Sequence, residues 1–193
     1  MTSPPARATP PGRASAAAPA DATLADAVAA LCDERAIRDV VLRYCRGIDR
    51  MDRELVRGCY HDDARDEHGS FEGGVDAFLD WCFRLLGRYA STMHFVGNLL
   101  VEPSPSRPRE CARAETYGIA FHRGDPADPA RNLVTGFRYI DRFERRDGAW
   151  RIAHRVATTE WVRVDVPENW WPTPDHLPRG RRDASDPVYE PID

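Results

Sequence analysis

The sequence predicts an α+β fold, with N-terminal helices packed on a strongly curved, mostly antiparallel sheet. Three observations predict it. Apolar residues recur at helical spacing as far as about residue 89. From residue 92 onward the chain reads as long strand-like runs joined by turn residues. Arg146-Asp147-Gly148 is a hairpin signal between two of those runs. Helices gathered ahead of consecutive strands belong to an α+β architecture rather than to alternating parallel units.

Residues 1–22 are rich in Pro, Ala, Ser and Thr and lack the apolar segment of a signal peptide, so they read as a disordered tail. Thr23 or Asp21 caps a helix that begins near Leu24. Val28, Leu31, Cys32, Ile37, Val40, Val41, Tyr44, Cys45 and Ile48 keep helical spacing, with Asp33 a point where residues 24–32 separate as their own piece. Gly47 loosens the helix just before Asp49. A short second helix, about 52–60, starts from an Asp52 cap. Residues 62–69 read as a turn plus a short strand, Gly73-Gly74 as a break, and 75–89 as a third, strongly apolar helix. Strands follow at 92–102, 110–123, 131–144 and 149–164, separated by loops 103–109 and 124–130 and by the hairpin turn. The domain therefore spans 23–164. Residues 165–193, proline-rich with Trp170-Trp171, read as an extended arm lying on its own domain or on a neighbouring subunit.

Composition excludes several functions. A chain of 193 residues with 42% hydrophobic and 30% charged residues has the means to build one ordinary core. The net charge of -4 argues against a nucleic-acid footprint. All 27 basic residues are arginine, which removes Schiff-base chemistry and the lysine of a phosphate-binding loop. The five cysteines are odd in number and contain no Cys-x-x-Cys, so they read mainly as small buried hydrophobes suited to a reducing cytoplasm. No apolar run approaches the roughly 18 residues of a membrane span.

Two segments carry the candidate chemistry. Tyr44-Cys-Arg-Gly-Ile-Asp49 ends the long helix, and Ser91-Thr-Met-His94-Phe-Val-Gly-Asn98 begins the strands. A carboxylate that meets an imidazole in a pocket makes a general base near neutral pH. Asp49 also has a simpler reading, as a residue that ends one helix or caps the next, and a lone strand histidine is often a satisfied core residue. Thr92, Val96 and Asn98 share the strand parity of His94 and face the same cavity. His61-Asp62-Asp63 and Asp66-Glu67-His68 read as a solvated turn, and Arg179-Gly-Arg181-Arg182 as a solvated arm. His122 and His154 are strand residues without a carboxylate motif.

The element order, Ala36-Ile-Arg-Asp39, Gly47-Ile-Asp49, Asp62-Asp-Ala64 and the hairpin Phe143-Glu-Arg-Arg-Asp-Gly148-Ala-Trp150-Arg-Ile152 resemble the nuclear-transport-factor-2-like, or SnoaL-like, superfamily over residues 30–163. The resemblance implies a cone-shaped α+β barrel. Within the superfamily the chain is most similar to the dehydratase and dehydrochlorinase branch, which includes scytalone dehydratase, hexachlorocyclohexane dehydrochlorinase and bile-acid dehydratase. That implies Asp49 and His94 as a proton-abstracting dyad, with Arg155 as charge stabiliser and Tyr44 as hydrogen-bond donor. Asn98, Val96, Tyr117 and Phe78 are the expected substrate-binding residues. It further implies a cofactor-independent lyase or isomerase of polyketide or steroid metabolism, acting on a hydrophobic cyclic molecule, without metal, nucleic acid or membrane. A homo-oligomer is expected, a trimer ahead of a dimer. The same fold also hosts non-catalytic binders, structural subunits and epoxide hydrolases, so those alternatives stand beside the lyase.

Overall fold

A computed structural model describes residues 23–124, 132–166 and 173–192. Helix α1 runs unbroken over Leu24–Arg50. Thr23 and Asp26 form a reciprocal capping box at its start, and Met51, left-handed at φ 56°, ends it. Asp33 does not divide the helix, because one aspartate costs only tenths of a kcal/mol in propensity. Its carboxylate instead accepts hydrogen bonds from Trp150 Nε1 at 2.9 Å and Arg109 Nε at 3.0 Å.

Helix α2 is Arg53–Gly58, capped by Asp52, whose side chain accepts from the Leu55 N–H. Gly47 makes that packing possible: a Cβ there would lie 2.6 Å from Val56 Cγ2. Strand β1 is Tyr60–His68 and β2 is Phe71–Gly74. Residues 62–69, expected as a turn plus a short strand, are therefore strand as far as His68, and the expected break at Gly73-Gly74 ends a short strand whose last residue caps α3, Val75–Leu86. Strands β3 (Tyr89–Pro103), β4 (Cys111–Gly124), β5 (Leu133–Arg146) and β6 (Ala149–Val164) complete the domain.

The sheet order is β2-β1-β6-β5-β4-β3. Among the described residues only β1 and β6 pair in parallel, so the sheet they form is mixed, and it is not closed into a barrel. Its inner face is graded in size. Ala112, Ala114, Thr116, Gly118 and Ala120 of β4 stand opposite Phe143, Asp141, Tyr139, Phe137 and Thr135 of β5. Small residues on one strand leave room for large ones on the next, and Ile37, Val41, Tyr44 and Ile48 of α1 with Phe78 and Leu79 of α3 fill the concavity.

The described part of the arm, 173–192, lies on its own domain. Arg50 Nε sits 3.3 Å from Asp186 Oδ2, and Tyr189 Oη donates to Asp52 Oδ2 at 3.0 Å. The tail 1–22, most of the 124–130 loop and Trp170-Trp171 lie outside the described residues. Among the described residues no helix is long and apolar enough to cross a membrane. Cys45, Cys59, Cys82 and Cys111 are buried and Cys32 is exposed. Burial pushes the Cys45 and Cys82 thiols up to about 12 and Cys59 to about 11, which suits packing rather than nucleophilic work.

Candidate functional site

The buried face of α1 runs to its end, through Gly47, Ile48 and Asp49. That places the Asp49 carboxylate against the inner residues of β3. Oδ1 accepts a hydrogen bond from Thr92 Oγ1 at 3.0 Å and lies 2.7 Å from His94 Nδ1. Oδ2 accepts the His94 backbone N–H at 2.8 Å. Three donors thus hold one carboxylate in one orientation. An ionised carboxylate only accepts, so Nδ1 is the donor in this contact, and in a neutral ring the free lone pair is then on Nε2. Both side chains are nearly enclosed, His94 at 7% and Asp49 at 11% exposure, which strengthens the pairing.

The surroundings of His94 are aromatic. The Phe137 ring packs edge-on at 6.0 Å, and Gly118 makes way for that ring, since a Cβ there would meet it at 2.3 Å. His122 stands 5.9 Å away, a neighbour the sequence did not reveal. Burial first, and the neighbouring His94 imidazole second, pull the His122 imidazole down to about 4. It is a neutral ring at physiological pH. A pocket of about 330 Å³ opens beside this pair, lined by Leu42, Cys45, Arg46, Asp49, Arg50, His94, Phe95, Val96 and, from the arm, Val188. A larger groove of about 800 Å³ lies elsewhere, along Leu100, Arg113, Arg142 and His154, without the dyad.

Asp49, His94 and Val96 therefore come together, and the other expected site residues do not join them. Arg155 is wholly enclosed. Its Nε and Nη2 each donate to Asp141 at 2.7 Å, and its guanidinium lies 4.1 Å from the Tyr44 ring and 3.9 Å from the Tyr139 ring. Burial raises the Asp141 carboxyl while the guanidinium opposes it; the Asp141 charge keeps Arg155 firmly protonated against the pull of burial. Tyr44 is the second member of that stack, 1% exposed. Phe78 is core, packed among Tyr60, His68, Phe71 and Trp81. Tyr117 pairs with Gly97, out of phase with His94, and lies on the outer face in a groove with Phe95 and Trp161. Asn98 is exposed at φ 46° within a bulge between Gly97 and Leu100, which breaks the parity expected from Thr92 and His94. His154 pairs with Glu67 at 2.9 Å, and the acidic runs at 61–63 and 66–68 lie on β1.

The SnoaL-like domain family matches residues 29–156. No curated protein matches the sequence significantly. Among solved structures, the chain is similar to a protein designated a scytalone dehydratase from Novosphingobium aromaticivorans, at 19% identity and TM-score 0.64, over 72% of this chain and 91% of that one. It is similar to a type 2 hexachlorocyclohexane dehydrochlorinase, LinA, at 16% identity and TM-score 0.67, over 78% and 99%. It is also similar to the type 3 enzyme of Novosphingobium barchaimii, at 15% identity and TM-score 0.67, over 76% and 99%. At these identities the likeness is one of fold.

Proposed function

The chain belongs to the SnoaL-like domain family, and on that footing we propose that it is a cofactor-independent lyase, a dehydratase or a related elimination or isomerisation enzyme. His94 Nε2 removes a proton from a hydrophobic cyclic substrate seated against Val96 and Leu42. Asp49 holds the Nδ1 proton and stabilises the imidazolium as it forms. The observation that carries the reading is the 2.7 Å contact between His94 Nδ1 and Asp49 Oδ1, on a carboxylate already held by Thr92 and the His94 backbone. Similarity of fold to a dehydratase and to dehydrochlorinases supports the reaction class. Tyr44 and Arg155 serve in this proposal as positioning residues that brace the sheet against α1. Exposed Met93, Phe95, Tyr117 and Trp161 on the outer sheet face support a homo-oligomer; the order of trimer ahead of dimer comes from the family resemblance alone. The cysteines suit a reducing cytoplasm.

The test is proton exchange. A panel of cyclic β-hydroxy ketones and chlorinated cyclohexanes is incubated in D₂O and read by mass spectrometry for elimination or deuterium wash-in. The proposal expects turnover of at least one member, lost about 100-fold or more in His94→Ala with the circular dichroism of the parent. Turnover that survives His94→Ala sinks it.

A second reading, a non-catalytic binder or structural subunit, is favoured by the commitment of Arg155 to Asp141, which leaves that cation unavailable to a substrate. An epoxide-hydrolase-like site is the third reading. Asp66, Arg155 and Asp141 do form a buried carboxylate–arginine cluster, with Tyr60 Oη donating to Asp66 at 2.7 Å. At 0–1% exposure the cluster lacks the access an attacking water needs.

A further inference from the structure

The bulge in β3 opens a second cavity beside the pocket of His94. The register of β3 on β4 slips between Gly97 and Leu100, so Asn98 and Leu99 together stand opposite Thr116. Asn98 takes up the extra length at φ 46°. Arg38 of α1 holds the bulge, its Nη2 donating to the Leu99 carbonyl at 2.9 Å. The space left is a cavity of about 150 Å³ between α1 and β3, with Thr116 of β4 in its lining. Leu42 and Val96 line both this cavity and the pocket of about 330 Å³ that holds Asp49 and His94. The two spaces therefore lie side by side along one seam.

Thr116 gives the second cavity its chemistry. The residue is wholly enclosed, and its Oγ1 has no hydrogen-bond partner among the described residues. A buried hydroxyl left unpaired costs its desolvation, a cost that a valine of the same shape avoids. The inner face of β4 otherwise carries Ala112, Ala114, Gly118 and Ala120, so the one hydroxyl stands among small apolar residues. Arg38, the charged group of the lining, is already committed to Glu34 and to the Leu99 carbonyl. A hydroxyl both donates and accepts, so the partner that Thr116 lacks is a hydroxyl or a carbonyl oxygen. Ligand pockets have this build: mostly apolar walls, with a few polar groups that fix orientation.

We propose that the bulge cavity is the distal compartment of the substrate pocket, and that Thr116 Oγ1 hydrogen-bonds an oxygen on the far side of the substrate from the carbon that His94 deprotonates. This rests on the reading of His94 as the proton-abstracting base. The substrate is then a fused-ring molecule with two oxygen functions, lying along the seam between α1 and β3 against Leu42 and Val96. One oxygen sits beside the acidic C–H near Nε2, and the other reaches Thr116. The distal hydrogen bond fixes the ring so that the C–H faces the base. A molecule without the distal oxygen leaves the Thr116 hydroxyl unpaired, which is how a polar group in an apolar site selects its ligand.

The probes are 6-hydroxy-2-tetralone and 2-tetralone, a fused-ring ketone with and without a distal hydroxyl, titrated by NMR on the Thr116 methyl and His94 ring resonances. The parent is expected to bind the hydroxylated probe about tenfold tighter or better, with both resonances shifting. Thr116→Val brings the two affinities together, read on the His94 ring, while its unfolding midpoint equals or exceeds that of the parent. Thr116→Ser keeps the preference. If Thr116→Val shifts the His94 ring without ligand, the cavity has moved and Thr116→Ser decides, because it restores the hydroxyl. Equal affinities in the parent, no binding of the hydroxylated probe, or the full preference retained in Thr116→Val overturns the proposal. A lowered unfolding midpoint in Thr116→Val also overturns it, since the hydroxyl is then satisfied by an internal water. His94→Ala keeps the preference; its effect on deuterium exchange beside the ketone judges the lyase reading separately.

Discussion

Arg155→Ala is expected to cost about 4–6 kcal/mol of folding stability, enough to unfold a domain whose total is of the order of 5–15 kcal/mol. The magnitude follows from what the guanidinium touches. Its removal strands the Asp141 carboxylate, 1% exposed, without a counter-ion, and breaking one side of a buried pair costs about 3–5 kcal/mol. It also empties the slot between Tyr44 and Tyr139, where a desolvated cation–π contact contributes about 2 kcal/mol. The two losses overlap, since one group makes both. The assay is guanidinium chloride unfolding followed by tryptophan fluorescence at neutral pH. The decisive comparison is Arg155→Met with Asp141→Leu: exchanging a whole buried pair for apolar groups of similar volume is often neutral. The double variant should recover most of the loss. A cost below about 1.5 kcal/mol for Arg155→Ala, or a double variant no better than the single one, refutes the assignment of Arg155 as a structural cation.

His122 makes stability depend on pH. Its folded value of about 4 lies below the ordinary value of 6.5, so the unfolded chain binds the extra proton between them. Stability contributed by the neutral ring is present above pH 6.5 and falls by roughly 3 kcal/mol as pH drops to 4, and His122→Asn should flatten that slope in denaturant titrations at successive pH values. Gly47→Ala drives a methyl group into Val56, and unfolding measurements should show a loss of about 1–3 kcal/mol. Deleting residues 165–193 removes Val188 and the Asp186 and Tyr189 tethers, and should shift the His94 ring resonances and lower turnover; light scattering on the same variant reports whether the arm also holds copies together. Unchanged resonances, turnover and mass would show that the arm does neither.

The contact between Asp49 and His94 was legible because both residues lie at element ends with strong local signals. Asp49 follows the last apolar residues of a long periodic helix, and His94 sits near the start of the first long strand, where parity still holds. Asn98 was misplaced because the bulge after Gly97 cancels parity within four residues of His94. The Arg155–Asp141 pair was hidden by another bulge. Counting back from the Asp147-Gly148 turn sets Asp141 opposite His154; the irregularity between Arg142 and Phe143 moves it to Arg155. His122 meets His94 only through the register of a long hairpin, Thr92 opposite His122, which no local pattern encodes. Arg182 read as one of three surface arginines, because its burial depends on a chain return of more than 90 residues to Leu86 and Tyr89. Helix and strand order were written in periodicity; bulges and the path of the arm were set by tertiary contacts.

The central claim is that Asp49 fixes His94 as an Nε2 base, and the tautomer of the neutral His94 ring, read by ¹⁵N NMR, tests it most directly. The account predicts the proton on Nδ1 and a bare Nε2 in the parent, with the ring reverting toward the Nε2–H form in Asp49→Ala. A parent ring protonated on Nε2, or a tautomer indifferent to Asp49→Ala, contradicts it.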